Sequence, residues 1–208
     1  MSTECKPCAA GHVSEDNRYI CNVCKATQEA NTAKSACENC PDGKYSNGIQ
    51  SCTNCTAGKY IPPYASSLAA RESGTVICQV CQTGRYGENS AARSKCTKCT
   101  TGRYLPTSNS ANSHRYSSQC VACAGGKYNA ITGQGSCTSC SSGRYSTSQA
   151  LTKSDDCSIC LIGSYSLSNA ANGITTCSNC PSGKYQTDNG FDATAHDAAN
   201  DCLGCDEG

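Results

Sequence analysis

Tryptophan is absent from the 208 residues, and Phe191 and Met1 are the sole examples of their kinds. Six Leu, eight Ile and five Val complete the large aliphatic set. That total lies well below the one-fifth share usual in a globular core. At roughly 25 cal/mol per Å² of buried apolar surface, it cannot offset the ordering entropy of the chain, which excludes a single large core. Net charge is nearly absent too: 17 Lys and Arg against 16 Asp and Glu leave +1. This balance separates the chain from highly charged disordered sequences. It also removes the basic surplus that nucleic acid demands, so no nucleic-acid partner is expected. No apolar run approaches the ~18 residues of a membrane span, and none is expected in this chain. Phosphate loops, nucleophile–base pairs and paired-carboxylate sites are missing, so neither enzymatic activity nor a cofactor is expected. His12, His114 and His196 fall in variable segments and are expected as exposed loop residues.

What the chain has is cysteine. There are 22, about one residue in ten, the level of a disulfide scaffold. All fall into eleven C-x-x-C pairs, beginning at Cys5, Cys21, Cys37, Cys52, Cys78, Cys96, Cys120, Cys137, Cys157, Cys177 and Cys202. The steps between pairs run from 15 to 26 residues. Such elasticity suits loops hung on covalent anchors better than solenoids with a fixed turn count. The motif C-x-x-C-x-x-G-[KR]-Y recurs, as in "SCTNCTAGKY" (51–60) and "SCTSCSSGRY" (136–145). A full G-x-Y follows eight pairs, with its glycines at 43, 58, 84, 102, 126, 143, 163 and 183. Two units depart: "CAAGHV" (8–13) has Val13 for Tyr, and in "CKATQEA" (24–30) the motif is lost. The glycine is expected at positive φ or close to a disulfide. The tyrosine ring is expected to cover sulfurs while its hydroxyl stays wet.

Further glycines stand four residues before the closing Cys, at Gly48, Gly74, Gly133 and Gly173, and are expected as return turns. Only short extended pieces, turns and coil are expected, with at most one helical turn in "ASSLAARES" (65–73). The long loops 56–77, 100–119 and 181–201 are expected on the outside, with Phe191 as a loop anchor. Seven of the eight G-x-Y motifs carry a cation at x: Lys44, Lys59, Arg85, Arg103, Lys127, Arg144 and Lys184. Solvated turn residues are the plain reading of this ladder, and a face for acidic glycans or a neighbouring subunit is the sharper one.

"CPDGKYSNGIQSCTNC" (40–55) and "CPSGKY" (180–185) resemble the ephrin-receptor-like cysteine-rich repeat. That repeat belongs to the growth-factor-receptor cysteine-rich group, and similar modules occur in tumour necrosis factor receptors and in cysteine-periodic surface antigens of protists. The resemblance covers nearly the whole chain. It implies small disulfide-rich repeats in an elongated array, mostly coil with short β-hairpins and no large core. It implies a scaffold and no particular activity.

Paired C-x-x-C also suits Cys₄ zinc, but four ligands per ion would strand one pair, and no histidine has ligand spacing to the pairs. Redox C-x-x-C belongs in a βαβ unit, of which there is no sign. Structural disulfides are therefore expected, in one of two schemes between which spacing alone does not decide. The preferred one joins the second Cys of each pair to the first of the next: Cys8–Cys21, Cys24–Cys37, Cys40–Cys52, Cys55–Cys78, Cys81–Cys96, Cys99–Cys120, Cys123–Cys137, Cys140–Cys157, Cys160–Cys177 and Cys180–Cys202. It leaves Cys5 and Cys205 as candidates for bonds between chains. The crossed scheme, first to first and second to second, leaves a whole pair over. Asn54-Cys55-Thr56 is the lone N-x-[ST] sequon, and Asn54 is a candidate glycosylation site hampered by a bonded cysteine at its centre.

"MSTECKPC" lacks the regions of a secretory signal, and "CLGCDEG" stops on the glycine where another G-x-Y would begin. Residues 1–208 are thus expected to be one tandem array of about ten repeats within a longer assembly. The expected function is an extracellular structural or surface protein, such as a coat, stalk or fibril subunit. Self-association, as a homopolymer or surface array, or a protein or glycan ligand supplies the partner. The alternatives are a ligand-binding receptor ectodomain and a zinc-binding C-x-x-C array.

Overall fold

The structure is a computed structural model, and it describes residues 8–14, 20–25, 27–62, 78–88, 95–167 and 173–205. Cys5, Gly74 and the segment 65–73 lie outside them. The described residues form ten two-stranded sheets and several short 3₁₀ helices, with no α-helix. No helix among them is long and apolar enough to cross a membrane.

Each repeat is one hairpin, and its construction follows from the motif. Residues 41–44 make a β-turn in which the Lys44 N–H donates to the Pro41 carbonyl at 3.0 Å. Gly43 occupies the third position with φ +79°, the signature of a type II turn, which favours glycine there. The strand Lys44–Tyr45 leaves this turn and pairs with Thr53–Asn54, the two residues inside the next C-x-x-C. Lys44 faces Asn54 and Tyr45 faces Thr53, so the disulfide Cys40–Cys52 closes the loop just beside the ladder. The same register returns at Tyr104↔Val121, Tyr128↔Thr138, Tyr145↔Ser158, Tyr165↔Ser178 and Tyr185↔Leu203.

Isolated two-stranded hairpins are marginal in water, so the covalent closure is what holds them. The described residues contain ten disulfides, each from the second Cys of one pair to the first of the next. Cα–Cα distances of 5.5 to 6.0 Å sit within the ordinary range for such bonds. Loop closures of about 15 residues each contribute about 3 kcal/mol by the chain-entropy estimate. Numbered by their disulfides, the repeats are 1 (8–21), 2 (24–37), 3 (40–52), 4 (55–78), 5 (81–96), 6 (99–120), 7 (123–137), 8 (140–157), 9 (160–177) and 10 (180–202).

Repeat 2, from whose sequence the G-x-Y motif is lost, keeps the hairpin. Thr27 takes the glycine position with φ +71°, and Gln28–Ala30 pairs with Cys37–Asn39 as in the other hairpins. The backbone plan survives without its diagnostic residues. Val13 in repeat 1 fills the tyrosine position and is buried.

Compactness divides the chain into two units, one of residues 1–82, 86–97 and 108–117, the other of 83–85, 98–107 and 118–208. Within each, disulfide cysteines are the commonest buried side chains. A small cluster in the first unit shows the local packing: Cys55 and Ile61 are buried, and Tyr45 and Cys78 lie against them. Tyr45 of repeat 3 thus lies against a cluster of Cys55 and Ile61 in repeat 4. The tyrosine packs on the neighbouring repeat.

Candidate functional site: the joint between repeats

What recurs with chemical regularity is the joint where one repeat meets the next. It begins at the second Cys of each pair. Its N–H donates to the carbonyl at the turn-glycine position of the repeat before, as in Cys81 to Gly58, Cys99 to Gly84, Cys140 to Gly126 and Cys180 to Gly163, each at 2.8 Å. Thr27 serves in the same way for Cys40. The turn residue's own N–H then donates forward, to the residue after the next repeat's tyrosine. Gly58 donates to Gly87, Gly102 to Asn129, and Thr27 to Ser46, each at 2.8 Å; Gly143 donates to Ser166 at 3.0 Å.

The residue after tyrosine is the position that sequence reasoning missed. Ser46, Ile61, Leu105, Asn129, Ser146, Ser166 and Gln186 are all buried, at 2 to 6 % exposure. Its side-chain type varies from Ile to Gln, so no residue pattern advertises it. Polarity is tolerated where the polar side chain finds partners, which burial demands, although Gln186 Oε1 has none among the described residues. Asn129 Nδ2 donates to the Arg103 carbonyl at 2.8 Å, and Ser166 Oγ to the Arg144 carbonyl at 3.2 Å. Ser46 Oγ donates to the Gln50 carbonyl at 2.5 Å.

From this buried residue the N–H reaches the return loop of the following repeat. Gly87 donates to the His114 carbonyl, Leu105 to Gln134, Asn129 to Leu151, Ser146 to Ile174 and Ser166 to His196, at 2.8 to 3.0 Å. His114 and His196 are fully buried, which corrects the expectation of exposed loop histidines. Each ends a short 3₁₀ helix, Ala111–His114 or Ala193–His196, that folds the long loop inward. His196 is held on both ring nitrogens: Nδ1 lies 2.7 Å from the Ser164 carbonyl and Nε2 2.8 Å from Asp188 Oδ2. Burial pushes the Asp188 carboxyl up, but the His196 ring and the N–H groups of Asp192 and Gly190 outweigh it and hold it below the usual carboxylate range.

The loop then turns back onto a repeat two units earlier. A Cβ built on Gly58 would overlap the carbonyl of Ala111; on Gly102, that of Ala150; on Gly143, that of Ala193. Gly11 meets Ile49, Gly84 meets Gly133 and Gly126 meets Ile174 in the same manner. The turn glycine therefore has two reasons to be glycine, a positive φ and a neighbour's backbone packed on its open side. Each joint involves three consecutive repeats.

The cations of the ladder take part as well. Arg103 donates from Nη1 to the Cys120 carbonyl at 2.8 Å, and Arg144 to the Cys157 carbonyl at 2.9 Å. Both cap the closing cysteine of their own repeat. Lys44, Lys59, Arg85, Lys127 and Arg144 are half-buried, whereas Arg103 and Lys184 are exposed. Phe191 is 85 % exposed and anchors nothing, another correction. Asn54 stands half-buried on a strand beside buried Cys55, an unfavourable geometry for a bulky glycan. Cys205 is exposed and carries the free thiol of the described residues. With twenty sulfurs in disulfides, no Cys₄ thiolate cluster can be assembled from them, and the described residues hold no group of three potential metal ligands.

Fold and joint together define a class: a cysteine-rich chain of small hairpin repeats bonded in consecutive order by disulfides. Comparison with protein-family models and with characterised proteins finds no match to this chain. So many disulfides are typical of extracellular proteins.

Proposed function

We propose that the chain is an extracellular structural protein, a subunit of a coat, stalk or fibril, built on repeats of the ephrin-receptor-like type. The observation that carries this reading is the joint itself. The same backbone hydrogen bonds recur from repeat to repeat, and the recurring machinery serves repeat-on-repeat packing. Catalysis needs a nucleophile or acid–base group set apart from its neighbours, and such a group would interrupt the pattern. A scaffold needs only that each unit recognise the next. A receptor ectodomain is the second reading, favoured by the exposed Leu161, Ile162 and Phe191, which could meet a protein ligand.

The test is location and form in native material. Intact cells are labelled with a membrane-impermeant reagent, and the protein is then imaged with bound antibody in the electron microscope. Labelling, with antibody along a coat or filament, is the expected result. Protein that escapes the reagent and resides in the cytosol overturns the extracellular reading. Labelled protein scattered as single particles beside a partner favours the receptor.

A further inference from the structure

Repeat 2 departs from the other repeats at the register where they set their tyrosine. Glu29 stands there, two residues after the turn position Thr27, and the hairpin pairs it with Glu38. In eight other hairpins the residue facing this register is uncharged, as in Thr53, Val121 and Leu203. Directly opposed residues of an antiparallel pair share one face, and like charges so placed repel. Repeat 2 thus carries two carboxylates that work against its own hairpin.

The exchange also leaves space. Tyr45 of repeat 3 packs on Cys55 and Ile61 of the repeat after it. Glu29 likewise reaches the repeat after its own, where its Oε2 accepts from the Cys52 N–H at 2.9 Å, but it has no ring with which to fill the place. A cavity of about 640 Å³ opens beside it, with Ala10, Glu29, Ala30, Lys34, Glu38 and Ile49 in its wall. That volume is in the range of ligand sites. The wall is built by repeats 1, 2 and 3, and the missing ring is a matter of residue 29, not of where the chain begins or ends. Glu38 is exposed and makes no hydrogen bond or ion pair among the described residues. Lys34, the cation in the wall, is engaged elsewhere: its Nζ donates to the Cys8 carbonyl at 2.5 Å.

We propose that this cavity is a docking pocket for a basic side chain, an arginine or lysine of a partner protein. Charge complementarity selects the occupant. Glu29, anchored by the Cys52 N–H, and Glu38, engaged by nothing, offer acceptors to a guanidinium or ammonium head. Ala10, Ala30 and Ile49 offer apolar wall to the methylene stem that such side chains bury. A cation between the two carboxylates replaces their mutual repulsion by attraction to a common partner, so occupancy stabilises the hairpin that the empty pair weakens. The joint is not interrupted, because Thr27 still donates to Ser46 and still accepts from Cys40. The pocket is independent of whether the chain is a structural subunit or a receptor.

The test is titration of the oxidised 208-residue protein with Nα-acetyl-arginine amide, followed by amide NMR shifts at constant ionic strength. This probe stands in for an arginine within a chain. Saturable shifts at Cys52, Glu38 and Ile49 are expected, with a Kd of about 1 mM for so small a ligand. Nα-acetyl-citrulline amide, its neutral isostere, should bind roughly tenfold more weakly for want of a charged head. Free arginine brings a carboxylate of its own and should also bind more weakly. Glu38→Gln should lower affinity by about threefold or more while leaving denaturant stability undiminished, since it ends the like-charge contact. Glu29→Tyr restores the ring of the other repeats and should abolish binding. Disulfide maps identical to the parent's establish that both variants fold. The proposal is overturned by an absence of saturable shifts, by equal binding of the citrulline derivative, or by undiminished binding to Glu29→Tyr. Tighter binding of free arginine, or calcium chloride shifting the same amides at lower concentration, overturns it too, in favour of a small-molecule or metal site. Cell-surface labelling is untouched by any of these outcomes, so the extracellular reading stands or falls separately.

Discussion

Replacing Gly102 by alanine separates the two demands placed on a turn glycine. Gly102 and Gly163 share φ +73°, so an alanine at either meets the same backbone penalty. That penalty is about 1–2 kcal/mol for an L-residue in the left-handed region. At Gly163 nothing more is added, because no described atom lies within 4 Å of the new Cβ. At Gly102 the Cβ overlaps the carbonyl of Ala150, a backbone group that cannot swing aside like a flexible side chain. Moving it disturbs the hydrogen bond from Ala150 N–H to the Cys123 carbonyl, 2.8 Å long, and the neighbouring one from Asn129 to Leu151. Overpacking of this kind costs about 1–3 kcal/mol. Gly102→Ala is thus expected to destabilise by about 2–5 kcal/mol, against about 1–2 for Gly163→Ala. Denaturant unfolding of the oxidised proteins at low concentration gives the totals. Hydrogen exchange at the Ala150 and Asn129 amides shows where the loss falls, and both should lose protection in Gly102→Ala alone. Equal destabilisation by the two variants, with Ala150 still protected, refutes packing of a loop onto the turn two repeats away.

Thr27→Gly should do the reverse. It relieves a β-branched residue at φ +71° and removes a buried hydroxyl that has no partner among the described residues, raising stability in denaturant melts by about 1 kcal/mol. Acid should loosen repeats 8 and 10 before repeats 7 and 9. Asp156 is held below the usual carboxylate range by the Thr152 N–H, and Asp192 by the Thr194 hydroxyl and N–H, while Asp188 is lowered by His196 as described. A depressed carboxyl contributes stability above its unfolded-state range and loses it as pH falls through the folded value. Hydrogen exchange across pH 2–5, resolved by peptide, should therefore show loops 140–157 and 180–202 opening first. Simultaneous opening of all four repeats would contradict this.

Much of the hairpin was legible in the sequence because its determinants are local. Gly43 at positive φ and the strand that follows it lie within six residues of Cys40, and each reflects a short-range steric rule. The burial of His114 and His196 was not legible. It depends on a 3₁₀ turn and on an N–H from the preceding repeat, and a polar side chain in a long polar loop gives no periodic signal. That Thr27 would hold the glycine position was not legible either, since its residue type argues against a positive φ. Disulfide closure on both sides imposes the turn strongly enough to override the preference of a β-branched residue. The position after tyrosine stayed hidden because backbone groups carry the contact there, and Ser, Asn, Leu and Gly all supply the same backbone.

The return loops measure their contact from the far end. The carbonyl offered to the preceding repeat stands three residues before the closing Cys in Lys34, Gln134 and Ile174, and six before it in His114, Leu151 and His196. The extra three residues are a short 3₁₀ helix in each long case, Ser117–Gln119, Ser154–Asp156 or Ala199–Asp201. The helix behaves as a removable spacer of one turn. Everything between the tyrosine and that fixed count is then free to grow or shrink, which is why separations of 13 and 22 residues can serve in one array. Insertions in that stretch leave the joint in register, so the surface of such a protein can be rewritten loop by loop while its internal gauge stays constant.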